Sequence, residues 1–174
     1  MLKHTIWGSL LCIALGVLSL ATSAHDVMTL GWLERIRLQP WDIVVKAKLD
    51  TGAKTGAIHA THVERFSRDG EKWVRFSLSL DHRDPHSDTI LVEKPIARDT
   101  TIKLRGTSKN DSRPTVKLDF CLGGGRYEGL FTLMNRSKFN YPVLLGRRFL
   151  ANLTVIDPAA RYTTEPTCPA SKKR

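Results

Sequence analysis

Short segments in which apolar and polar residues alternate constrain the fold of this chain more than any other feature. The alternating segments are 43–49, 73–80 and 115–120. The turn-forming residues that separate the strands lie at 68–70, 84–85, 123–125 and 140–142. Alternation is typical of strands with one buried face, and closely spaced strands are typical of barrels and sandwiches. We therefore predict a mainly β fold with one short helix at 147–152 and a following strand that ends at Asp157-Pro158.

The N-terminal segment has the pattern of a secretory signal peptide, which we assign to residues 1–24. Lys3 provides a positive charge, residues 6–20 are apolar, and small residues at 21–24 suit a signal peptidase. Cleavage after Ala24 would give an exported protein, periplasmic or secreted, without a stable membrane span. The alternative is an uncleaved membrane anchor, although the apolar run is short for a hydrocarbon core of about 30 Å.

The rest of the chain is long enough to form one domain with its own core. We assign residues 25–162 to this domain and residues 163–174, which are rich in Pro, Thr and Lys, to a flexible basic tail. Signal cleavage would leave two cysteines, Cys121 and Cys168. In an oxidising compartment they either form a disulfide or leave Cys121 as a free buried thiol.

The chain is basic, with 27 Lys and Arg residues against 17 Asp and Glu residues and a formal net charge of +10. Loss of Lys3 with the signal would lower this charge to 26 − 17 = +9. We expect no nucleic acid as a partner, because export removes it and no basic stretch is interleaved with stacking aromatic residues. We expect no metal and no other cofactor, because the six histidines are scattered and no zinc-binding or phosphate-binding motif occurs.

Two segments carry the prediction of function. In the first, an apolar strand ends at the acidic residue of Asp50-Thr51-Gly52-Ala53. In the second, Leu144-Leu145-Gly146-Arg147, an apolar strand runs into a glycine and a helical turn. The first segment alone also suits an ordinary strand-end turn in which Gly52 supplies a positive φ. The presence of both segments in one chain favours a catalytic interpretation.

With both segments present, the chain resembles the bacterial retropepsin-like aspartic proteases of the RimB type, formerly called putative ATP-dependent zinc proteases. The resemblance extends from about Trp32 to Tyr162. Further segments that carry it are Lys54-Thr55, Ala57-Ile58-His59-Ala60, Arg113-Pro114, Asn135-Arg136, Tyr141-Pro142-Val143 and Asp157. It implies a retropepsin-like closed β-barrel and an aspartic endopeptidase. No ATP-binding or zinc-binding motif occurs, so we expect neither ligand.

The resemblance implies that Asp50, Thr51 and Gly52 are the catalytic residues. Peptide hydrolysis of this type needs two carboxylates that share one proton. The mature chain has one D-T-G segment, so the resemblance implies a twofold homodimer in which Asp50 meets its symmetry mate. The residues implied to support the catalytic loop are Leu144, Leu145, Gly146 and Arg147, and the alternative for the first three is ordinary core packing.

A hairpin over residues 101–116 is expected to close over the site as a flap, with its tip at 106–112. The substrate-binding residues would be Ala53 of the D-T-G loop and Arg105, Gly106 and Arg113 of the hairpin. A closing hairpin excludes water and binds an extended peptide by strand addition. An ordinary exposed hairpin is the alternative, and residues 61–97 are expected to be an insertion relative to viral retropepsins.

Basic residues are frequent in the segments expected around the cleft, namely Arg105, Lys109, Arg113, Arg126, Arg136, Arg147 and Arg148. They predict a preference for acidic peptides, which the resemblance also implies, although each can instead belong to a solvated basic face. The leading hypothesis is an exported, homodimeric aspartic endopeptidase. The alternatives are a noncatalytic β-barrel that binds peptides or anionic envelope components, and a metalloprotease.

Overall fold

The computed structural model describes residues 27–79, 81–103 and 110–169. In chain order its strands are β1 (Met28–Gln39), β2 (Ile43–Asp50), β3 (Gly56–His59), β4 (Thr61–Arg68), β5 (Glu71–Ser79), β6 (Thr89–Pro95), β7 (Arg98–Lys103), β8 (Asn110–Leu122), β9 (Gly125–Met134), β10 (Val143–Gly146) and β11 (Thr154–Arg161). One short helix, α1 (Arg147–Leu150), follows β10 directly. Among the described residues, no helix is both long and apolar enough to cross a membrane.

Six strands form a closed barrel in the order β1-β2-β10-β3-β9-β8, with β8 pairing back onto β1. The barrel closes where Arg37, Leu38 and Gln39 of β1 pair with residues of β8. β11 extends the sheet beside β1, and β7 extends it beside β8. Aliphatic and aromatic side chains fill the interior, including the buried rings of Phe120 and Phe131. The predicted mainly β closed barrel with one short helix is confirmed.

Strand β2 positions the D-T-G segment through its alternating side chains. Val45, Ala47 and Leu49 are buried in the core, whereas the residues between them are more exposed. Successive side chains of a strand point to opposite faces, so Lys48 and Asp50 lie together on the face away from the core. The acidic residue therefore ends a strand that is anchored by its own apolar residues.

The segment expected to be an insertion forms a separate three-stranded sheet in the order β4-β5-β6. Alternation in β5 places Val74, Phe76 and Leu78 in the same hydrophobic cluster as the barrel core. An ion pair of 2.7 Å between Arg65 of β4 and Asp99 of β7 joins the second sheet to the barrel sheet. The insertion therefore packs on the barrel beside the β7–β8 hairpin.

Two element ends can be compared with the predictions. Helix α1 ends at Leu150, whereas the prediction extended it to residue 152. Asn152 has a φ of 64°, in the left-handed region that a right-handed helix cannot use. Strand β5 reaches Ser79, and Leu80, the last residue of the predicted strand 73–80, lies outside the described residues.

The predicted strand end at Asp157-Pro158 is wrong, because β11 continues through Pro158 to Arg161. Strand β11 is an edge strand, and its parallel register with β1 shifts between Gly31 and Leu33. Proline lacks the N–H that a ladder needs, so strands accommodate it at edges and at bulges. Both conditions are met at Pro158.

Residues 163–168, which composition assigned to a flexible tail, are fastened to the barrel. Glu34 of β1 is buried, and its Oε1 accepts hydrogen bonds from the backbone N–H (2.9 Å) and the hydroxyl (2.6 Å) of Thr163. A disulfide joins Cys168 to Cys121 of β8, with a Cα–Cα distance of 5.3 Å. The segment therefore follows the barrel as far as Cys168.

Candidate active site

The D-T-G loop begins where β2 ends and holds the carboxylate of Asp50 by backbone hydrogen bonds. Oδ1 of Asp50 accepts the N–H of Gly52 at 3.0 Å and the N–H of Ala53 at 3.3 Å. Thr51 and Gly52 are exposed at the surface of the single chain, and Ala53 is half-buried. One carboxylate oxygen is thus fixed by the loop itself, while the other, Oδ2, lies 3.1 Å from Nζ of Lys48.

The segment predicted to support this loop lies directly beside it. Strand β10 runs parallel to β2, with Leu144 opposite Lys48, Leu145 opposite Leu49, and Gly146 opposite Asp50. The glycine is required there, because a Cβ at position 146 would lie 2.5 Å from the carbonyl carbon of Thr55. The backbone of the loop that follows Asp50 and the backbone of β10 therefore meet without a side chain between them.

Arg147 adds two contacts to the same loop. Its backbone N–H donates to the carbonyl of Ala53 at 2.8 Å. Its guanidinium Nη1 donates to the carbonyl of Thr51 at 3.0 Å. These bonds hold the start of α1 against both sides of Gly52.

A cavity of about 370 Å³ opens beside Asp50. The residues that line it are Trp32, Lys48, Asp50, Arg136, Phe139, Asn140, Tyr141 and Leu144. Within the described part of the chain, Asp50 is the one acidic residue in this lining, and Lys48 and Arg136 are basic. The rings of Trp32 and Tyr141 meet edge to face with centroids 5.8 Å apart. The cavity thus combines aromatic walls with a carboxylate and two cations.

Lys48 sets the electrostatic environment of Asp50. Its Nζ lies 3.1 Å from Oδ2 of Asp50, and the carboxylate side chain is 23% exposed. Partial burial raises the pKa of Asp50, but the hydrogen bond and charge of Lys48, together with the N–H groups of Gly52 and Ala53, outweigh it. The pKa of Asp50 therefore lies below its usual value, and the carboxylate is ionised in the single chain.

Arg136 is a buried cation in the lining of the same cavity. Its Nε donates to the carbonyl of Tyr141 at 3.0 Å, and its guanidinium lies 4.5 Å from the ring centroid of Phe139. Burial lowers the pKa of Arg136, and the negative charge of Asp50 opposes that shift. An arginine stays protonated under these conditions, so the wall presents a permanent positive charge to the cavity.

The hairpin expected to form the flap is present as β7 and β8, with Lys103 opposite Asn110. The prediction that the tip of the hairpin extends to residue 112 is wrong. Residues 110–112 belong to β8, because they still pair with residues 101–103 of β7. Arg113 lies in β8, and its Nε donates to Asp111 at 2.6 Å. Arg105 and Gly106 lie outside the described residues, so the flap stays a prediction.

The other basic residues predicted around the cleft are dispersed. Arg126 lies opposite Cys121 in the β8–β9 ladder, and Arg148 lines a separate cavity. Lys109 lies outside the described residues.

Sequence reasoning gave no role to Lys48, although its position two residues before Asp50 in a strand places both side chains on one face. That spacing is the signal that could have identified it.

Residues 27–79, 81–103 and 110–169 contain no group of three or more His, Cys, Asp or Glu side chains suited to a metal. The rings of His59 and His82 lie 5.9 Å apart in an edge contact. The absence of a cofactor stays a prediction.

Replacing Lys48 with Met should raise the pKa of Asp50. The substitution removes the hydrogen bond and the charge that lower this pKa, while the burial that raises it stays. The measurement is an NMR titration of the Asp50 side-chain carboxyl carbon. Lys46→Met, an exposed lysine of the same strand, is the control and should leave the titration unchanged. An unshifted Asp50 titration in Lys48→Met would contradict the assigned ion pair.

Most of this chain is similar to one protein family and to a part of longer curated proteins. A family profile described as the retropepsin-like aspartic endopeptidase RimB matches residues 29–167. The chain is 34% identical over 120 residues to a probable alpha-L-glutamate ligase of Shewanella pealeana, covering 68% of this chain and 25% of the ligase. It is 32% identical over 118 residues to a probable alpha-L-glutamate ligase of Desulfotalea psychrophila, covering 66% and 24%. The chain thus spans about a quarter of the length of these curated relatives.

A solved structure gives a further comparison. The crystal structure of a Legionella pneumophila protein of unknown function superposes with a TM-score of 0.65 and 28% sequence identity. The match covers 79% of this chain and 98% of that protein. Together with the match to the family profile, it confirms the predicted retropepsin-like fold class.

Proposed function

This chain belongs to the RimB-like family of retropepsin-like aspartic endopeptidases, and we propose that it hydrolyses peptide bonds as a homodimer, using Asp50 of both subunits. The observation that carries this proposal is the position of Asp50. It ends a strand at a surface loop, and it is the one carboxylate among the described residues that line the adjacent cavity. Membership in the family supports the class of reaction, and the single carboxylate supports the dimer.

The chemistry requires a second carboxylate. One ionised Asp accepts a proton from the attacking water, and a protonated Asp polarises the scissile carbonyl and supplies a proton to the leaving nitrogen. Two carboxylates about 3 Å apart share one proton, because both cannot ionise together. Asp50 in isolation is held ionised by Lys48 and can act only as the base. In the proposed dimer, the negative charges of the two Asp50 carboxylates oppose each other, so one of the pair retains a proton and acts as the acid.

The exposed loop supports the proposed dimer contact. Thr51 and Gly52 lie at the surface of the single chain, while Arg147 and Gly146 hold the loop from behind. In the dimer, the hydroxyl of Thr51 would bond across the twofold axis, and Gly52 would let the two backbones approach. A loop fixed on its inner side and bare on its outer side is suited to such a contact.

Acidic peptides are the proposed substrates. Lys48 and Arg136 place two positive charges beside the cavity of Asp50, and such charges attract and pair carboxylates. The relatives named glutamate ligases support a link to glutamate. Ligation itself is not proposed, because this chain corresponds to only about a quarter of those proteins.

Export is proposed from residues 1–24, which lie outside the described residues. Disulfides persist mainly in oxidising compartments. The Cys121–Cys168 disulfide supports a periplasmic or secreted location on independent grounds.

The function is tested with purified residues 25–174 and a glutamate-containing peptide that carries a fluorophore and a quencher. We expect cleavage that is favoured in the acidic half of a range of about pH 4 to 7, since the pair of carboxylates must retain one proton. Activity per chain should rise with protein concentration as dimers form, and a chelator should have no effect. Chelator-sensitive cleavage would favour a metalloprotease. Peptide binding without cleavage would favour the noncatalytic barrel, and full activity in a strictly monomeric sample would exclude the dimer.

A further inference from the structure

His59 connects the end of β3 to the segment 136–142. The imidazole is buried, and its Nδ1 lies 2.9 Å from the backbone nitrogen of Arg136, whose N–H it accepts. The backbone N–H of His59 donates to the carbonyl of Pro142 at 2.8 Å. One residue therefore fastens both ends of this segment. An Nδ1 that accepts a hydrogen bond requires a neutral ring with its proton on Nε2.

The segment held in this way is a wall of the cavity beside Asp50. Arg136, Phe139 and Tyr141 all line that cavity. Inside the segment, the N–H of Phe139 donates to the carbonyl of Arg136 at 2.8 Å, and Nε of Arg136 donates to the carbonyl of Tyr141 at 3.0 Å. These internal bonds make the segment compact. Its middle also contacts the second sheet's neighbouring loop, where Nε2 of His82 lies 2.9 Å from the carbonyl of Phe139 and Nη2 of Arg83 donates to the carbonyl of Asn140 at 3.3 Å. The bonds to His59 hold its two ends, so they contribute to where the segment lies relative to Asp50.

We propose that His59 is a positioning residue, which holds the 136–142 wall at the Asp50 cavity while its ring is neutral and releases it when the ring is protonated. Protonation turns Nδ1 into a donor that points at the N–H of Arg136, so the hydrogen bond is lost. It also places a positive imidazolium next to the guanidinium of the same residue. The consequences for catalysis rest on the proposed function, whereas the opening of the wall does not.

The surroundings of His59 favour the neutral ring. The titratable and charged groups that face it from the neighbouring elements are His62, His82, Arg83, Asp84 and Arg136. Burial of the ring, followed by the charges of His82 and Arg136, holds the pKa of His59 below its usual value of 6.5. The hydrogen bond is therefore fully present above pH 6.5 and is lost as the pH falls through the pKa of the folded protein.

Two substitutions at His59 separate its role as a hydrogen-bond acceptor from its ability to take up a proton. In His59→Asn, the side-chain Oδ1 can accept the N–H of Arg136 but does not titrate. In His59→Leu, a side chain of similar bulk offers no acceptor. His62→Asn is the matched control, because His62 lines, together with His59, a second cavity of about 490 Å³. His62 is exposed, and its φ of 49° is one that Asn tolerates.

We expect the protection factor of the Arg136 amide, which is its intrinsic exchange rate divided by the rate observed by NMR on the full mature chain, to fall at acid pH in the unmodified protein by more than the protection factors of other protected amides. This fall should disappear in His59→Asn and be unchanged in His62→Asn. His59→Leu should show a low protection factor at every pH. If His59→Leu does not fold, the comparison of His59→Asn with the unmodified protein decides the outcome. An equal fall of the protection factor at acid pH in those two proteins would overturn the proposal.

Kinetics on the glutamate-containing peptide provide the second readout. His59→Leu should raise KM at least about tenfold with a smaller change in kcat, because the displaced wall contacts substrate rather than the reacting bond. His59→Asn should have the KM of the unmodified protein, and its kcat/KM should fall less steeply as the pH is lowered. An unchanged KM in folded His59→Leu would overturn the proposal. Absence of cleavage in the unmodified protein, with the exchange result as expected, would instead reject the proposed function alone.

Discussion

Replacing Asp50 with Asn should lower kcat/KM for peptide hydrolysis by about 10⁴-fold, the upper end of what general acid–base catalysis contributes. Asn keeps the Oδ1 that accepts the N–H groups of Gly52 and Ala53, so the loop retains its shape. It cannot accept a proton from water, and both halves of the proposed pair are altered together. The measurement is kcat/KM with circular dichroism as a check on folding. Asp69→Asn, at an exposed turn with a φ of 50°, is the control and should leave the rate unchanged.

The same variant tests whether the two carboxylates come from different subunits. When wild-type chains are allowed to exchange with a ninefold excess of Asp50→Asn chains, about one in ten wild-type chains finds a wild-type partner. Activity per wild-type chain should then fall about tenfold. Unchanged activity would mean that each chain works alone, and residual cleavage by Asp50→Asn alone at the wild-type rate would remove Asp50 from the mechanism.

Replacing Gly146 with Ala should destabilise the fold by about 1–3 kcal/mol and abolish most of the activity. A Cβ at this position would lie 2.5 to 2.7 Å from three backbone atoms of Thr55. Backbone cannot rotate away as a side chain does, so either β10 or the segment that contains Asp50 must shift. The φ of Gly146 is −91°, which any residue adopts, so the expected cost arises from the close approach alone.

A matched control for Gly146→Ala exists in strand β1, two strands away from β10 in the sheet. A Cβ at Gly31 would lie 2.6 Å from the carbonyl oxygen of Ala160, in the β1–β11 pair. Gly31→Ala should cost a similar free energy of unfolding, measured by chemical denaturation, but should retain kcat/KM in the folded fraction. Gly146→Ala with full activity would show that the catalytic loop tolerates displacement, contrary to the tight support described for it.

Local patterns predicted the strands and the position of the D-T-G loop. The alternation of apolar and polar residues in β2 and β5 depends only on neighbours within the strand, so it can be recognised from the sequence without knowledge of the rest of the fold. The pairing of Lys48 with Asp50 follows the same period of two and was available from the sequence. The strand end at Pro158 was mispredicted, because whether proline ends a strand depends on the partner strand, and β11 turned out to be an edge with a bulge.

Contacts between distant segments were beyond local patterns. Composition indicated a mobile segment after residue 162, but the buried carboxylate of Glu34 and the disulfide to Cys121 hold residues 163–168 in place. A buried glutamate in a strand can be assigned no partner until the neighbouring chain is known. The role of His59 is similar, because its acceptor matters only through the segment that barrel closure brings beside it.

By itself, the sequence determined a mainly β chain in which Asp50-Thr51-Gly52 follows an apolar strand, because backbone preference and the period of two act between near neighbours. The tertiary structure decided what surrounds that carboxylate. Arg136 reaches the cavity of Asp50, and Gly146 lies against Thr55, only because β10 is inserted between β2 and β3. Strand order in a closed barrel is chosen by the burial of all its apolar faces together, which no single segment encodes.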